Sequence, residues 1–184
     1  MDFLKKEDTV LVVIDMQERL MSAMPDIHSR VAVRNARVLI ESAKVLGIPV
    51  LVTEQYPKGL GATVEGVADS LGEGVKPIEK VVFSCARAEE FADAVKGLGR
   101  SSYILAGTET HVCVLQTAVD LVNEGYNVYV PADAVVSRND LDWQKGLELM
   151  GKAGATVGTT EAFLFMLLER AGTDEFKAVS KLVK

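Results

Sequence analysis

The sequence predicts an α/β protein: a single three-layer α/β/α domain over residues 1–184, built on a parallel six-stranded sheet. Three observations carry this. Short apolar runs alternate with longer helical patterns from end to end, and parallel neighbours need such crossover connections. The first run, "TVLVVID", is continuously apolar and β-branched, as in a strand covered on both faces. No repeat, low-complexity tract or linker divides the 184 residues, a length that suits one domain with a large core.

Each element has its own signal. After the strand at 9–15, residues 27–47 place Ile27, Val31, Val38, Val45 and Leu46 near helical spacing, with Gly47 as the stop. "IPVLVTE" (48–54) is the second strand. Residues 55–77 are loop-rich, with five glycines and two prolines. "IEKVVFS" (78–84) is a short third strand, and 88–99 a helix. The fourth strand is 101–107, followed by a helix at 110–125. Residues 126–133 read as strand then turn, 140–154 as a helix, 155–159 as a last strand and 160–170 as a helix. In the tail, Phe176, Val179 and Val183 share one stripe that packs on the body or on another subunit. The expected strand order is 3-2-1-4-5-6.

Composition narrows the partners. Hydrophobic residues are 48% and charged ones 25% of the chain, ordinary for a soluble globular protein. A net charge of −6 argues against nucleic acid and against an anionic membrane surface. The apolar run Val10–Ile14 is too short for a signal-peptide core or a span. Two cysteines are too few for a disulfide framework, so a cytoplasmic protein with a small-molecule substrate is expected.

In parallel sheets ligands bind beyond the carboxyl ends of the strands. Three reactive side chains fall there: Asp15 after the first strand, Lys80 at the third and Cys113 just past the fourth. Each alone has an ordinary reading, as turn residue, solvated lysine and core filler. Cys113 has more to recommend it. If Thr110 caps the helix, then His111, Val112 and Cys113 are its first residues, and their N–H groups lack intrahelical partners. The helix dipole there favours thiolate and lowers the thiol pKa. The same N–H groups could hold an oxyanion. A thiol nucleophile needs a base and a group to orient it, which Asp15 and Lys80 would supply.

The ordered segments "VVIDMQERL", "EKVVFSC" and "AGTETHVCVLQTAVDLVNEGYNVYVPADAVVSR" resemble the isochorismatase-like cysteine hydrolases, from about Thr9 to Phe165. Through "VTEQYPKGLGATV" the chain is most similar to the isochorismatase domain-containing protein subgroup. The resemblance implies a catalytic triad of Asp15, Lys80 and Cys113, and a cis peptide joining Thr108 to Glu109. It also implies an oxyanion hole made by the backbone N–H groups of Glu109 and Cys113, and a homo-oligomer.

Nicotinamidases of that family hold a metal through an aspartate and several histidines after the second strand. Here that segment has no histidine, and the whole chain has only His28 and His111, so no metal and no cofactor are expected. Gln17, Gln55, Tyr56 and Phe83 lie at strand ends and are the candidate substrate-binding walls. For Gln17 the alternative, a loop residue satisfying backbone groups, stays open. His111 diverges from Cys113 by roughly 200° around a helix, and Cys85 reads as packing.

The expected activity is metal-independent hydrolysis of a C–N bond in a small amide, ureide or carbamoyl compound, through a thioester. Isochorismatase-type acid-catalysed cleavage of a vinyl ether, which needs no nucleophile, is the alternative. Two others are a non-enzymatic binding or assembly protein retaining the pocket, and a redox role pairing Cys85 with Cys113.

Overall fold

The structure, a computed structural model, describes residues 3–184. Its strands are β1 (Thr9–Ile14), β2 (Val50–Gln55), β3 (Ile78–Lys80), β4 (Ser102–Thr108), β5 (Asn127–Pro131), β6 (Val135–Val136) and β7 (Thr156–Gly158). They form one parallel sheet in the order β3-β2-β1-β4-β5-β7, with β6 paired to β4. The expected order is therefore observed, with the last strand numbered seven because a short one intervenes.

Every residue of β1 is buried, and its side chains alternate between two cores. Leu11 and Val13 join one; Val10, Val12 and Ile14 join the other. The first face is covered by α2 (Asp26–Leu46), α8 (Thr160–Leu168) and α9 (Asp174–Leu182), through Ala36, Leu39, Phe163, Leu164 and Val179. The second is covered by α5 (Glu89–Leu98), α6 (Leu115–Asn123) and α7 (Asp140–Ala153), through Phe91, Val95, Leu121 and Met150. A strand so covered has no solvated face to record in its pattern, hence the unbroken apolar run.

Some boundaries differ from those the sequence suggests. β3 stops at Lys80 instead of Ser84, because the carbonyls of Val82 and Phe83 turn inward to the lysine ammonium instead of joining the sheet. The loop-rich stretch contains two single-turn helices, α3 (Pro57–Leu60) and α4 (Glu65–Ala68), and a further short one, α1 (Glu18–Ser22), follows β1. β6 resumes the pairing beside β4 after a turn in which Ala134 N–H donates to Pro131 O.

The tail docks on its own body. Val179 is fully buried, and Phe176 meets Phe165 edge-on at 6.1 Å. The tail stripe therefore gives no support to subunit association.

Candidate active site

Asp15 follows β1 at the carboxyl edge, with its backbone in the left-handed region (φ 49°), which aspartate tolerates better than most residues. Its N–H donates to Thr53 O at 3.1 Å, and its carbonyl accepts from Gln17 N–H at 2.8 Å. The carboxylate has no exposed surface. Its Oδ2 lies 2.6 Å from Lys80 Nζ, and its Oδ1 accepts from the Thr53 hydroxyl at 2.7 Å.

Lys80 reaches Asp15 because β3 pairs with β2, placing Lys80 opposite Gln55. Its ammonium has three protons, and four acceptors surround it. Besides Asp15 these are Gln55 Oε1 at 2.8 Å, Phe83 O at 3.0 Å and Val82 O at 3.3 Å. Burial is the largest influence and works against the charge, but the Asp15 carboxylate together with Cys85 and Cys113 outweighs it, so the Lys80 pKa is raised. A saturated, buried cation holds Asp15 in place; it has no proton left for a ligand.

Cys113 sits in the turn that opens α6. The expected cap is corrected here. Glu109, with an extended backbone, occupies the cap position, and the buried Thr110 hydroxyl finds no partner. The Thr108–Glu109 peptide is cis, as the resemblance implies. Residues Thr110–Val114 form a π-helical turn. In an α-helix the Glu109 carbonyl would take the N–H of Cys113. Here it accepts instead from Val112 at 3.0 Å and Val114 at 3.2 Å, so Cys113 N–H is not drawn to it.

The Cys113 thiol lies within reach of the Asp15 charge. Its pKa is not lowered, as the helix-start argument suggests, but pushed up to about 12. Burial is the main cause and the Asp15 charge the next, with Lys80 opposing both. The resting group is a neutral thiol beside a carboxylate. Such a pair can pass a proton as a bond to sulfur forms, without a standing thiolate.

The remaining expected residues divide. Gln17 is fully buried; its amide donates to Gln55 O at 3.0 Å and Gly61 O at 2.7 Å, and its Oε1 accepts from Gln55 N–H at 2.7 Å. Its polar atoms tie the loop after β2 to the end of β1, in line with the alternative left open for this residue. Gln55 joins Lys80 to the Val81 carbonyl, which its Nε2 meets at 2.9 Å. Tyr56 and Phe83 stand at the rim, 55% and 53% exposed, and Phe83 meets Lys80 through its carbonyl. The Glu109 carboxylate is held by Arg138 Nε at 3.1 Å. His111 Nδ1 bonds Ser137 Oγ at 2.9 Å, away from the thiol. Cys85 is a free, fully buried thiol whose pKa burial pushes up to about 11. Among the described residues no cluster of three or more histidine, cysteine and carboxylate side chains is placed to hold a metal ion. Thr53 was not legible as a site residue, since a threonine at a strand end reads as strand.

An isochorismatase domain model matches residues 9–162. The secreted isochorismatase effector Isc1 of Phytophthora sojae is 37% identical, over 96% of this chain and 84% of that one. Isochorismatase domain-containing protein 1 of Danio rerio is also 37% identical over 96% of this chain, which spans only 61% of its length. Among solved structures, a Caenorhabditis elegans protein described as MAR1 ribonuclease superposes with a TM-score of 0.92 at 37% identity, covering 99% of this chain and 92% of that one. The YcaC protein of Escherichia coli, described as an octameric hydrolase of unknown specificity, does so with a TM-score of 0.91 at 26% identity, covering 99% and 89%.

Proposed function

The chain belongs to the isochorismatase family, and from that premise we propose that it is a cysteine hydrolase cleaving a C–N bond in a small amide, ureide or carbamoyl compound. One observation carries the reading: a buried thiol within reach of a buried carboxylate whose other partner is a saturated ammonium. A family member cleaving a vinyl ether needs an acid but has no use for a thiol at that position.

In the proposed cycle Asp15 takes the Cys113 proton as Sγ bonds to the substrate carbonyl carbon. The carbonyl π pair moves to oxygen, where the N–H groups of Glu109 and Cys113 receive it. The π-helical turn supports this role for Cys113, since its N–H is kept from the Glu109 carbonyl. The tetrahedral adduct expels the amine, which takes the proton from Asp15, and a thioester remains. Water then gives a proton to Asp15 and attacks the thioester; Cys113 leaves and recovers that proton. Lys80 keeps Asp15 aligned throughout. No metal enters any step.

The ribonuclease description of the nematode relative is not carried over. A net charge of −6 argues against binding a phosphate backbone. The octameric relative supports a homo-oligomer, as do the exposed Ile27, Leu141, Val81 and Phe83. A cytoplasmic location rests on the two free thiols alone, because the oomycete relative is named as secreted.

The test is turnover of a panel of small amides and ureides, with isochorismate included and chelator added. Amine or ammonia release that survives chelator and disappears in Cys113→Ala supports the reading. Pyruvate release from isochorismate that survives Cys113→Ala favours the vinyl-ether alternative, and loss of turnover with chelator sinks the metal-free mechanism.

A further inference from the structure

Thr53 is the least conspicuous polar residue at the carboxyl edge and the one most intimately bound to Asp15. It holds Asp15 twice. Its carbonyl accepts the Asp15 N–H at 3.1 Å, and its hydroxyl donates to Asp15 Oδ1 at 2.7 Å. The double hold follows from register: β1 and β2 pair Ile14 with Thr53, so Asp15 begins where Thr53 ends the pairing. Both residues are fully buried.

The direction of the hydroxyl proton is set by the carboxylate. An ionised carboxylate only accepts, so Thr53 must donate to it. The Cys85 sulfur lies 3.7 Å behind the same oxygen, and Cys85 S–H is then the donor in that contact. Cys85 is in turn anchored by its backbone N–H to Thr117 Oγ1 at 2.9 Å. A chain of donors therefore runs Cys85 to Thr53 to Asp15. With Lys80 on Oδ2, it leaves the carboxylate no freedom to rotate.

We propose that Thr53 is a positioning residue, acting through Asp15 to aim its carboxyl group so that the proton taken from Cys113 is delivered to the departing amine. This rests on the cysteine-hydrolase reading. Thr53 touches no substrate in this account. Its effect falls on proton delivery, which separates it from a residue that only supports the fold.

Two acetyl donors with different leaving groups make the distinction. p-Nitrophenyl acetate expels a phenolate that leaves without a proton; p-nitroacetanilide expels an amine that requires one. Acylation of Cys113 by each is followed by absorbance and by the acetyl mass on the protein. The readout is the ester-to-anilide rate ratio in wild type, Thr53→Val, Thr53→Ser and Asp15→Asn. Loss of a hydrogen bond to a charged group is worth about tenfold or more, so Thr53→Val should raise the ratio by at least roughly that factor. Thr53→Ser should restore it, and Asp15→Asn should raise it further. If Thr53→Val does not fold, Thr53→Ala is read in the same way.

An unchanged ratio in Thr53→Val, or equal losses with ester and anilide, overturns the inference while leaving the role of Asp15 standing if Asp15→Asn still raises the ratio. An unchanged ratio in Asp15→Asn overturns the functional reading itself. Wild-type protein acylated by the ester but never by the anilide has no proton delivery to position, and the inference falls. No acetyl adduct on wild type from either donor removes Cys113 as nucleophile, and the inference with it.

Discussion

The Lys80 ammonium lies 2.6 Å from Asp15 Oδ2, and neither side chain has any exposed surface. Breaking such a pair leaves a charge buried without a partner, which typically costs about 3–5 kcal/mol. Lys80→Ala should therefore lower stability to denaturant by roughly that amount. Lys80→Met with Asp15→Asn together should cost less than the sum of the two single changes. Additive losses would mean that the pair is not coupled in solution.

Thiol reactivity should separate Asp15 from the helix start. The Asp15 charge helps push the Cys113 pKa up to about 12, while Lys80 pulls it down. Asp15→Asn removes the first influence and keeps the second, so the thiol pKa falls. Iodoacetamide at pH 8 reports the standing thiolate fraction and should then label Cys113 faster than in wild type. Peptide mapping gives the rate at each cysteine; slower labelling in the variant contradicts the assignment.

Stability should decline on the alkaline side. Cys113 and Cys85 have folded values of about 12 and about 11, above an unfolded value of 9.0. A group raised on folding contributes stability fully below its unfolded pKa, and that contribution is lost as pH rises through the folded value. The window is therefore about pH 9 to 12. The thermal midpoint should fall between pH 8 and 10.5, and less steeply in Cys113→Ala. Parallel slopes would show that the thiol is not the group responsible.

Gly107 lets the central strands close beneath the site. A Cβ there would lie 2.1 Å from Ile14 O, and its φ of 133° disfavours other residues. Gly107→Ala should cost roughly 2–4 kcal/mol and disturb Asp15, the next residue after Ile14. Gly97, in α5, meets nothing within 4 Å, so Gly97→Ala should instead stabilise by about 0.5–1 kcal/mol. Chemical denaturation of both variants checks the contrast.

The sequence made some features legible and hid others for identifiable reasons. Asp15, Lys80 and Cys113 could be placed at the carboxyl edge because a continuous apolar run announces a buried strand, and a polar residue at its end stands out. Thr53 could not, because β-branched residues are what strands contain. Gln17 beside Asp15 looked available for a ligand; only the fold shows its amide bonded to the loop after β2. Thr110 looked like a cap by residue type, whereas the backbone puts Glu109 there. β6, two residues long, is shorter than any periodicity can register.

The most direct measurement is intact-protein mass spectrometry after brief incubation with the amide and ureide panel, in chelator-treated buffer. A mass increase equal to the acyl part of a substrate, mapped to Cys113, lost in Cys113→Ser as a thioester and slowed in Asp15→Asn, is the predicted result. Turnover of a panel compound with no acyl mass on Cys113 at any time, and undiminished in Cys113→Ala, would contradict covalent catalysis at this thiol.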